Sequence, residues 1–362
     1  IKALKQEIEY VARMAGERLP IHTVYFGGGT PSLLDPSAIA RLLDVIASCF
    51  EILPDPEITI EANPGTLSLS ALHEMWQSGV NRLSIGVQSS HSGELKLLGR
   101  KHDFLDVIHA VTWAHQAGFN NINLDLIFGL PYQTVQNWLL TLDYVLRLKP
   151  NHFSLYALTI EADTPMGNWV KRGLLEEPDL DLAADMYEAA SNRLSEAGYH
   201  QYEISNWEWH RMGQEGTACR HNLQYWHNLP YLGFGAGAHG YAGGFRVANV
   251  SEPFDYVKRI LHGITNPKLD FPHSPATTQS ERIDRTSEMA ETMMLGMRLV
   301  SEGVSAKGFL ERFGIPLVQV YGSQIEKLQR LGLVEWAGDG ADSLRLTDAG
   351  RLLGNQVFME FL

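Results

Sequence analysis

Up to Leu155, short β-branched and aromatic runs alternate with longer stretches of helical periodicity, and nothing else in the chain constrains its fold as tightly. Residues 23–26 precede a helix expected over 37–50, and 58–60 precede one over 70–77. Residues 83–87 lead, after a loop, to a helix over 104–117; 122–127 lead to one over 135–148; 153–155 form the fifth strand. Strands separated by helices pair in parallel, because each crossover returns the chain to the same edge of the sheet. The chain opens inside an amphipathic helix, with Ile1, Leu4, Ile8, Val11 and Ala15 at helical spacing. A helix in such a sheet follows a strand, so a strand upstream of Ile1 is expected. Six βα units then point to an α/β fold built on a partial TIM-type (β/α)6 barrel rather than a Rossmann sheet.

Composition narrows the function classes. A chain of 362 residues is long enough for two domains. No apolar run approaches the ~20 residues of a membrane span. A net charge of −13 repels phosphate, which argues against nucleic acid as a partner. The only cysteines are Cys49 and Cys219, a usage that fits a reducing, cytoplasmic compartment rather than a disulfide framework.

The polar residues at the strand ends carry the chemistry. Val24-Tyr25-Phe26 stops on Gly27-Gly28-Gly29-Thr30-Pro31. Glycines let backbone amides approach a ligand, and Pro31 fixes φ where the chain turns away. On these residues alone an ordinary βα turn explains them equally well. Glu61 follows Ile60, Gln88 follows Val87, and Asp125 lies within its apolar run. Each sits at or near the C-terminal end of a strand, where barrel enzymes build their sites, and buried carboxylates there need a partner. Helix capping or an ion pair accounts for any one of them as readily as a functional role does, but less readily for the set. Arg100 falls on the loop after the third of these strands; a guanidinium there suits a carboxylate, although its pattern alone reads as a solvated surface arginine.

Four motifs, in order, resemble the radical S-adenosylmethionine (SAM) proteins of the oxygen-independent coproporphyrinogen oxidase group. They are Tyr25-Phe26-Gly27-Gly28-Gly29-Thr30-Pro31-Ser32, Ile60-Glu61-Ala62-Asn63-Pro64, Ser84-Ile85-Gly86-Val87-Gln88-Ser89 and Asp125-Leu126-Ile127-Phe128-Gly129-Leu130-Pro131. The resemblance implies a SAM site at the mouth of a six-fold partial barrel. Gly28, Gly29, Thr30 and Pro31 would receive the methionine amino end, with Glu61, Gln88, Arg100 and Asp125 lining the remainder. It also implies a [4Fe–4S] cluster on a CxxxCxxC loop after the first strand. No such spacing occurs here, so the loop is expected upstream of Ile1 and no metal ligand is assigned in this chain. No catalytic residue is assigned either.

Further along, a helix is expected over 179–197, and the glycine-rich stretch 233–241 is unsuited to a regular helix. His221-Asn222-Leu223-Gln224-Tyr225-Trp226 is similar to the segment that marks the haem-chaperone branch of this family. The resemblance makes His221, Asn222, Tyr225 and Trp226 candidate haem-site residues, with Cys219 and His239 as weaker ones. A histidine beside aromatics is otherwise more often a packed structural residue. Residues 266–279 read as an extended linker. A methionine-spaced helix over 285–299, two shorter helices and a hairpin at Asp339-Gly340 follow, which together resemble a winged helix. Acidic residues outnumber basic ones there, so partner docking or packing is expected rather than DNA binding.

The expected division is 1–160 partial barrel, 161–265 α+β middle segment, 266–284 linker and 285–362 winged-helix-like domain. The resemblance implies a haem chaperone that delivers haem to an acceptor such as a respiratory-chain component. The alternative is an oxygen-independent coproporphyrinogen III oxidase. Membrane association through a partner and homodimerisation are compatible with either. A phosphate-binding barrel enzyme is disfavoured, since no basic residue closely follows the glycines.

Overall fold

In the computed structural model, strands and helices alternate from the start. They run α1 (Lys2–Ala15), β1 (Pro20–Phe26), α2 (Pro36–Cys49), β2 (Glu51–Ala62), α3 (Leu69–Gln77), β3 (Arg82–Gln88), α4 (Ser92–Leu97), α5 (Phe104–Ala117), β4 (Ile122–Phe128), α6 (Val135–Leu146) and β5 (His152–Ala157). The structure describes residues 1–162, 164–210, 216–263, 269–338, 340 and 342–362. Two compact units emerge: Ile1–Val24 with Pro36–Glu57 and Cys219–Leu362, and Tyr25–Asp35 with Ile58–Ala218. Among the described residues no helix is long and apolar enough to cross a membrane.

Helix boundaries follow local chemistry. Asp103 and Asp106 form a capping box at the start of α5, and Gly118, with φ near +111°, ends it in the left-handed conformation. Thr134 caps α6 by accepting from the Asn137 N–H. β2 is much longer than the three residues expected, because Pro54 and Pro56 mask its first half in the sequence.

The second half of the chain continues with α7 (Pro165–Lys171), α8 (Leu180–Glu196), β6 (Tyr199–Glu203), β7 (Asn206–Trp209), α9 (Arg220–Trp226), β8 (His239–Ala242), β9 (Phe245–Asn249), α10 (Pro253–Gly263) and β10 (Thr277–Arg282). β1 to β7 form a seven-stranded sheet ordered β1-β2-β3-β4-β5-β7-β6. β2 to β5 run parallel, and β7 then pairs antiparallel to β5. This is the partial TIM-type barrel sheet of the α/β class. Ile60, Leu83, Ile85, Leu124 and Phe153 on one face are fully buried. Residues alternating with them carry the polar groups.

Two stretches differ from expectation. The helix α9 carries the His221–Trp226 motif, which sequence periodicity left unassigned because seven residues are too few to show a face. The end of the expected linker is strand β10, hydrogen-bonded antiparallel to β9, so it belongs to a three-stranded sheet. Asn266 and Pro267, at the start of that stretch, lie outside the described residues.

The C-terminal elements are α11 (Arg285–Gly296), β11 (Val304–Ser305), α12 (Ala306–Phe313), α13 (Leu317–Arg330), β12 (Val334–Ala337), β13 (Ser343–Leu346), α14 (Asp348–Leu352) and α15 (Gly354–Met359). A hairpin of β12 and β13, with β11 added to β13, completes a winged-helix arrangement. Asp339 of the expected turn lies outside the described residues. Met293 and Met297 are fully buried, as core filler.

In the first unit, buried Glu7 of α1 ties four segments together. It accepts hydrogen bonds from the Tyr256 hydroxyl (2.7 Å), the Gly235 N–H (2.8 Å), the Asn249 amide (2.7 Å) and the Ser274 hydroxyl (2.8 Å). Burial pushes its carboxyl above the ordinary range, and the four donors oppose that shift. Glu7→Ala leaves all four donors without this acceptor and is expected to cost about 3 kcal/mol in a urea titration. A carboxyl raised on folding contributes most stability below its unfolded value and loses it as pH rises through the folded one. The penalty of Glu7→Ala is therefore expected to be larger near pH ~4 than near pH ~8.

Candidate functional site

The C-terminal ends of β1 to β5 in the second unit surround one cavity of about 380 Å³. Gly29, Thr30 and Pro31 line it from the loop after β1, together with Glu61, Gln88, Arg100 and Asp125. Gly28 does not line the cavity but fixes its rim, donating its N–H to Glu61 Oε2 at 3.0 Å.

The three glycines are required for two different reasons. A Cβ on Gly27 would fall 2.7 Å from the Tyr25 ring and 3.1 Å from Glu61 Oε1. Gly28 and Gly29 have open space around them but take φ of +84° and +65°, the left-handed region that favours glycine. The Tyr25 hydroxyl donates to Glu61 Oε1 at 2.9 Å. Glu61 therefore holds the loop from both sides: one oxygen on the tyrosine of β1, the other on the glycine amide.

Gln88 also sits at a strained point. Its φ is +67°, where the β3–β4 register shifts between Gly86 and Gln88. A bulge at a strand end re-aims a side chain, and here it turns Gln88 into the cavity. Gly86 leaves it room, since a Cβ there would lie 2.8 Å from Gln88 Nε2. Arg100 Nη1 reaches Asn63 Oδ1 at 3.4 Å, a long contact that leaves most of the guanidinium's donors to other acceptors.

Asp125 receives the Ser84 hydroxyl on Oδ2 and the Asn123 amide on Oδ1, both at 2.8 Å. Burial pushes its carboxyl above the ordinary range, the hydrogen bonds from Ser84 and Asn123 pull it back, and the Glu61 charge adds a smaller upward push. The cavity thus sets two carboxyl groups and an amide against one guanidinium. It suits a ligand that carries positive charge and hydrogen-bond donors together with a carboxylate.

Sequence reasoning missed Tyr25, Asn63, Ser84 and Tyr156 as cavity residues. The period of two along each strand would have found Ser84 and Tyr156, which stand on the same face as Gly86 and Ser154. Nothing in the sequence pairs Tyr25 with Glu61.

The aromatic segment lies in the first unit. The backbone N–H groups of Arg220 and His221 both donate to Glu57 at 3.0 Å, which pins the start of α9 to β2. Both ring nitrogens of His221 meet hydroxyls: Nδ1 is 2.9 Å from Thr23 Oγ1, and Nε2 is 2.9 Å from the Tyr225 hydroxyl. Tyr225 packs edge-on to His221 and to Tyr231. The Arg298 guanidinium lies over the Trp226 ring, 4.4 Å from its centre. Asn222 is half-buried on the same helix, and Cys219 is buried with Sγ 3.5 Å from Glu57 Oε1. His239 opens β8 and is exposed.

Iron–sulfur clusters are held by cysteine thiolates, and the family resemblance implies three of them on one CxxxCxxC loop. Cys49 lies near the end of α2 and Cys219 before α9, and among the described residues no group of three metal-ligating side chains gathers. These residues do not fit a cluster.

Comparison with known proteins agrees with the fold and goes beyond it. The model of the radical SAM superfamily matches residues 2–145, and that of the HemN C-terminal domain matches 283–353. A protein described as "Heme chaperone HemW" from Bacillus subtilis is 37% identical over 363 residues, spanning 100% of this chain and 90% of that protein. One of the same description from Mycobacterium tuberculosis is 36% identical, over 99% of this chain and 85% of the relative. The bovine mitochondrial "Radical S-adenosyl methionine domain-containing protein 1" is 40% identical over 72% of this chain and 59% of its own length. Among solved structures, the Escherichia coli coproporphyrinogen III oxidase HemN superposes with a TM-score of 0.81 over 99% of this chain and 82% of its own. At 23% identity that likeness speaks for the fold alone. With identity sustained along its whole length, the chain belongs to the HemW family, built on the radical SAM scaffold.

Proposed function

We propose that this protein is a haem chaperone that binds SAM in the strand-end cavity, takes up haem at the α9 segment and passes it to an acceptor protein. The cavity carries the SAM reading. Its volume of about 380 Å³ falls within the ~300–1,000 Å³ of small-molecule sites. Glu61 and Asp125 supply acceptors and negative charge that suit a sulfonium and an ammonium, while Arg100 suits the amino-acid carboxylate and Gln88 the polar edges of a nucleoside. When bound, SAM supplies an activated adenosyl sulfonium. The chain's own part is to bind and orient it, since Cys49 and Cys219 do not make a cluster site.

The haem reading rests on the kinship with proteins described as HemW and on the placement of His221 between two hydroxyls. Either nitrogen of His221 could hold haem, Nε2 by giving up its contact with the Tyr225 hydroxyl or Nδ1 by giving up Thr23. Residues 1–160 would serve as the SAM-binding barrel, 161–265 with strand β10 as the haem-binding middle segment, and 285–362 as a winged-helix-like docking domain. The acceptor is a haem protein such as a respiratory-chain component, met in the cytoplasm.

Calorimetric titration with SAM tests the cavity. Glu61→Gln is expected to weaken binding about tenfold, by removing an acceptor for Gly28 or Tyr25 and a charge. Gly27→Ala is expected to act in the same direction, because its Cβ would push Tyr25 off Glu61. Wild-type affinity in both variants would remove the proposed role. Haemin titration followed at the Soret band tests the second site. His221→Ala is expected to weaken haemin binding about tenfold with SAM affinity unchanged. Tyr225→Phe is expected to tighten it if Nε2 is the ligating atom. An unaltered Soret titration in His221→Ala would end that assignment, and turnover of coproporphyrinogen would move the protein to the oxidase reading.

A further inference from the structure

Beneath the cavity, a set of side chains on the polar face of the sheet is buried and hydrogen-bonded without a gap. Ser84, Asn123 and His152 stand on one rung of β3, β4 and β5, and Asp125 and Ser154 two rungs further, on the same face. His152 is fully buried, and Ser84, Asn123, Ser154 and Tyr202 nearly so. Of the set, only Ser84 and Asp125 line the cavity.

The direction of every hydrogen bond in this set follows from its chemistry. Asp125 is a carboxylate that needs donors, so Asn123 presents its amide nitrogen to Asp125 Oδ1 at 2.8 Å and to Ser84 Oγ at 2.7 Å. The Asn123 carbonyl then faces the Ser154 hydroxyl at 3.1 Å and His152 Nδ1 at 2.7 Å, and both must donate. Burial and the Arg82 charge hold His152 well below its ordinary range, so the ring is neutral and carries one N–H. With that proton on Nδ1, Nε2 accepts from the Tyr202 hydroxyl at 2.9 Å. The order Tyr202 to His152 to Asn123 to Asp125 therefore runs one way, and Asn123 makes all four bonds its amide allows.

We infer that His152 is a positioning residue that acts through Asn123 to hold Asp125 as an acceptor, so that the cavity selects ligands presenting a hydrogen-bond donor at that carboxylate. If His152 loses its Nδ1–H, the Asn123 amide is free to turn. Its carbonyl then faces Asp125, where two acceptors repel. Asp125 responds by binding a proton at higher pH, and the cavity loses its preference for a donor. The effect on ligand affinity rests on the reading of this cavity as a SAM site; the effect on Asp125 does not.

The test reads both. In the ligand-free full chain, the side-chain carboxyl carbon of Asp125 is titrated by NMR in wild type, His152→Leu and His152→Asn. The asparagine amide can stand where Nδ1–H stands, whereas leucine fills space without a donor. The titration midpoint of Asp125 is expected to rise in His152→Leu and to return in His152→Asn. SAM affinity is expected to fall about tenfold in His152→Leu and to recover within about threefold in His152→Asn. Tyr202→Phe, which removes the hydroxyl fixing the His152 tautomer, is expected to move the midpoint the same way by less, and it decides the matter if His152→Leu does not fold. A midpoint unmoved in every folded variant, or His152→Asn titrating like His152→Leu, overturns the inference. Failure of the wild-type chain to bind SAM overturns the proposed ligand and leaves the titration to judge His152 alone.

Discussion

A β-strand turns successive side chains to opposite faces, and in this sheet the two faces were given opposite chemistry. Ile60, Leu83, Ile85, Leu124, Leu126 and Phe153 are removed from water on one side. Burying each such side chain stabilises the fold by about 1.5–3 kcal/mol. That apolar side fixes the register, because a slip of one residue would exchange the faces. Once the register is fixed, Glu61, Ser84, Asn123, Asp125, His152 and Ser154 have no freedom to go elsewhere. The polar face is a by-product of the apolar one, and the cavity stands at its open end.

Holding acids on that face has an electrostatic cost, and the structure offsets it with hydrogen bonds rather than with lysines. Glu61 is met by a phenol and a glycine amide, Asp125 by a hydroxyl and an amide. Neutral donors satisfy the oxygens without cancelling the charge, so the negative potential persists toward the cavity. Salt bridges would have satisfied the same atoms and removed the field. The backbone strain of the site is placed beside these acids: Gly28, Gly29 and Gln88 take positive φ next to Glu61 or Asp125's neighbouring strand. Strained backbone is tolerated where the surrounding hydrogen bonds over-determine it.

Much of this was legible before any coordinates. Alternating periodicity revealed the parallel sheet, and the polar residue closing each apolar run located the rim. The order of strands held because caps such as Asp103 and Gly118 write helix ends into the sequence. Other features were illegible for identifiable reasons. Pro54 and Pro56 hid half of β2, since proline argues against a strand. The helix α9 is too short for periodicity to report. His152 is one of fourteen histidines, and nothing local marks it; only the alignment of β4 with β5 brings it to Asn123. Tyr25 and Glu61 likewise meet through tertiary packing.

Asn123, with every lone pair and N–H committed, has a consequence for how the site can diverge among relatives. Replacing any one of Ser84, Asp125, His152 or Ser154 takes a hydrogen-bond partner from buried Asn123, so single exchanges are penalised whatever they do for the ligand. Change has to come as concerted replacement across three strands, and intermediate genotypes are the unstable ones. The floor of this cavity should therefore drift far more slowly than its rim, where Tyr156 is open to solvent and can vary alone.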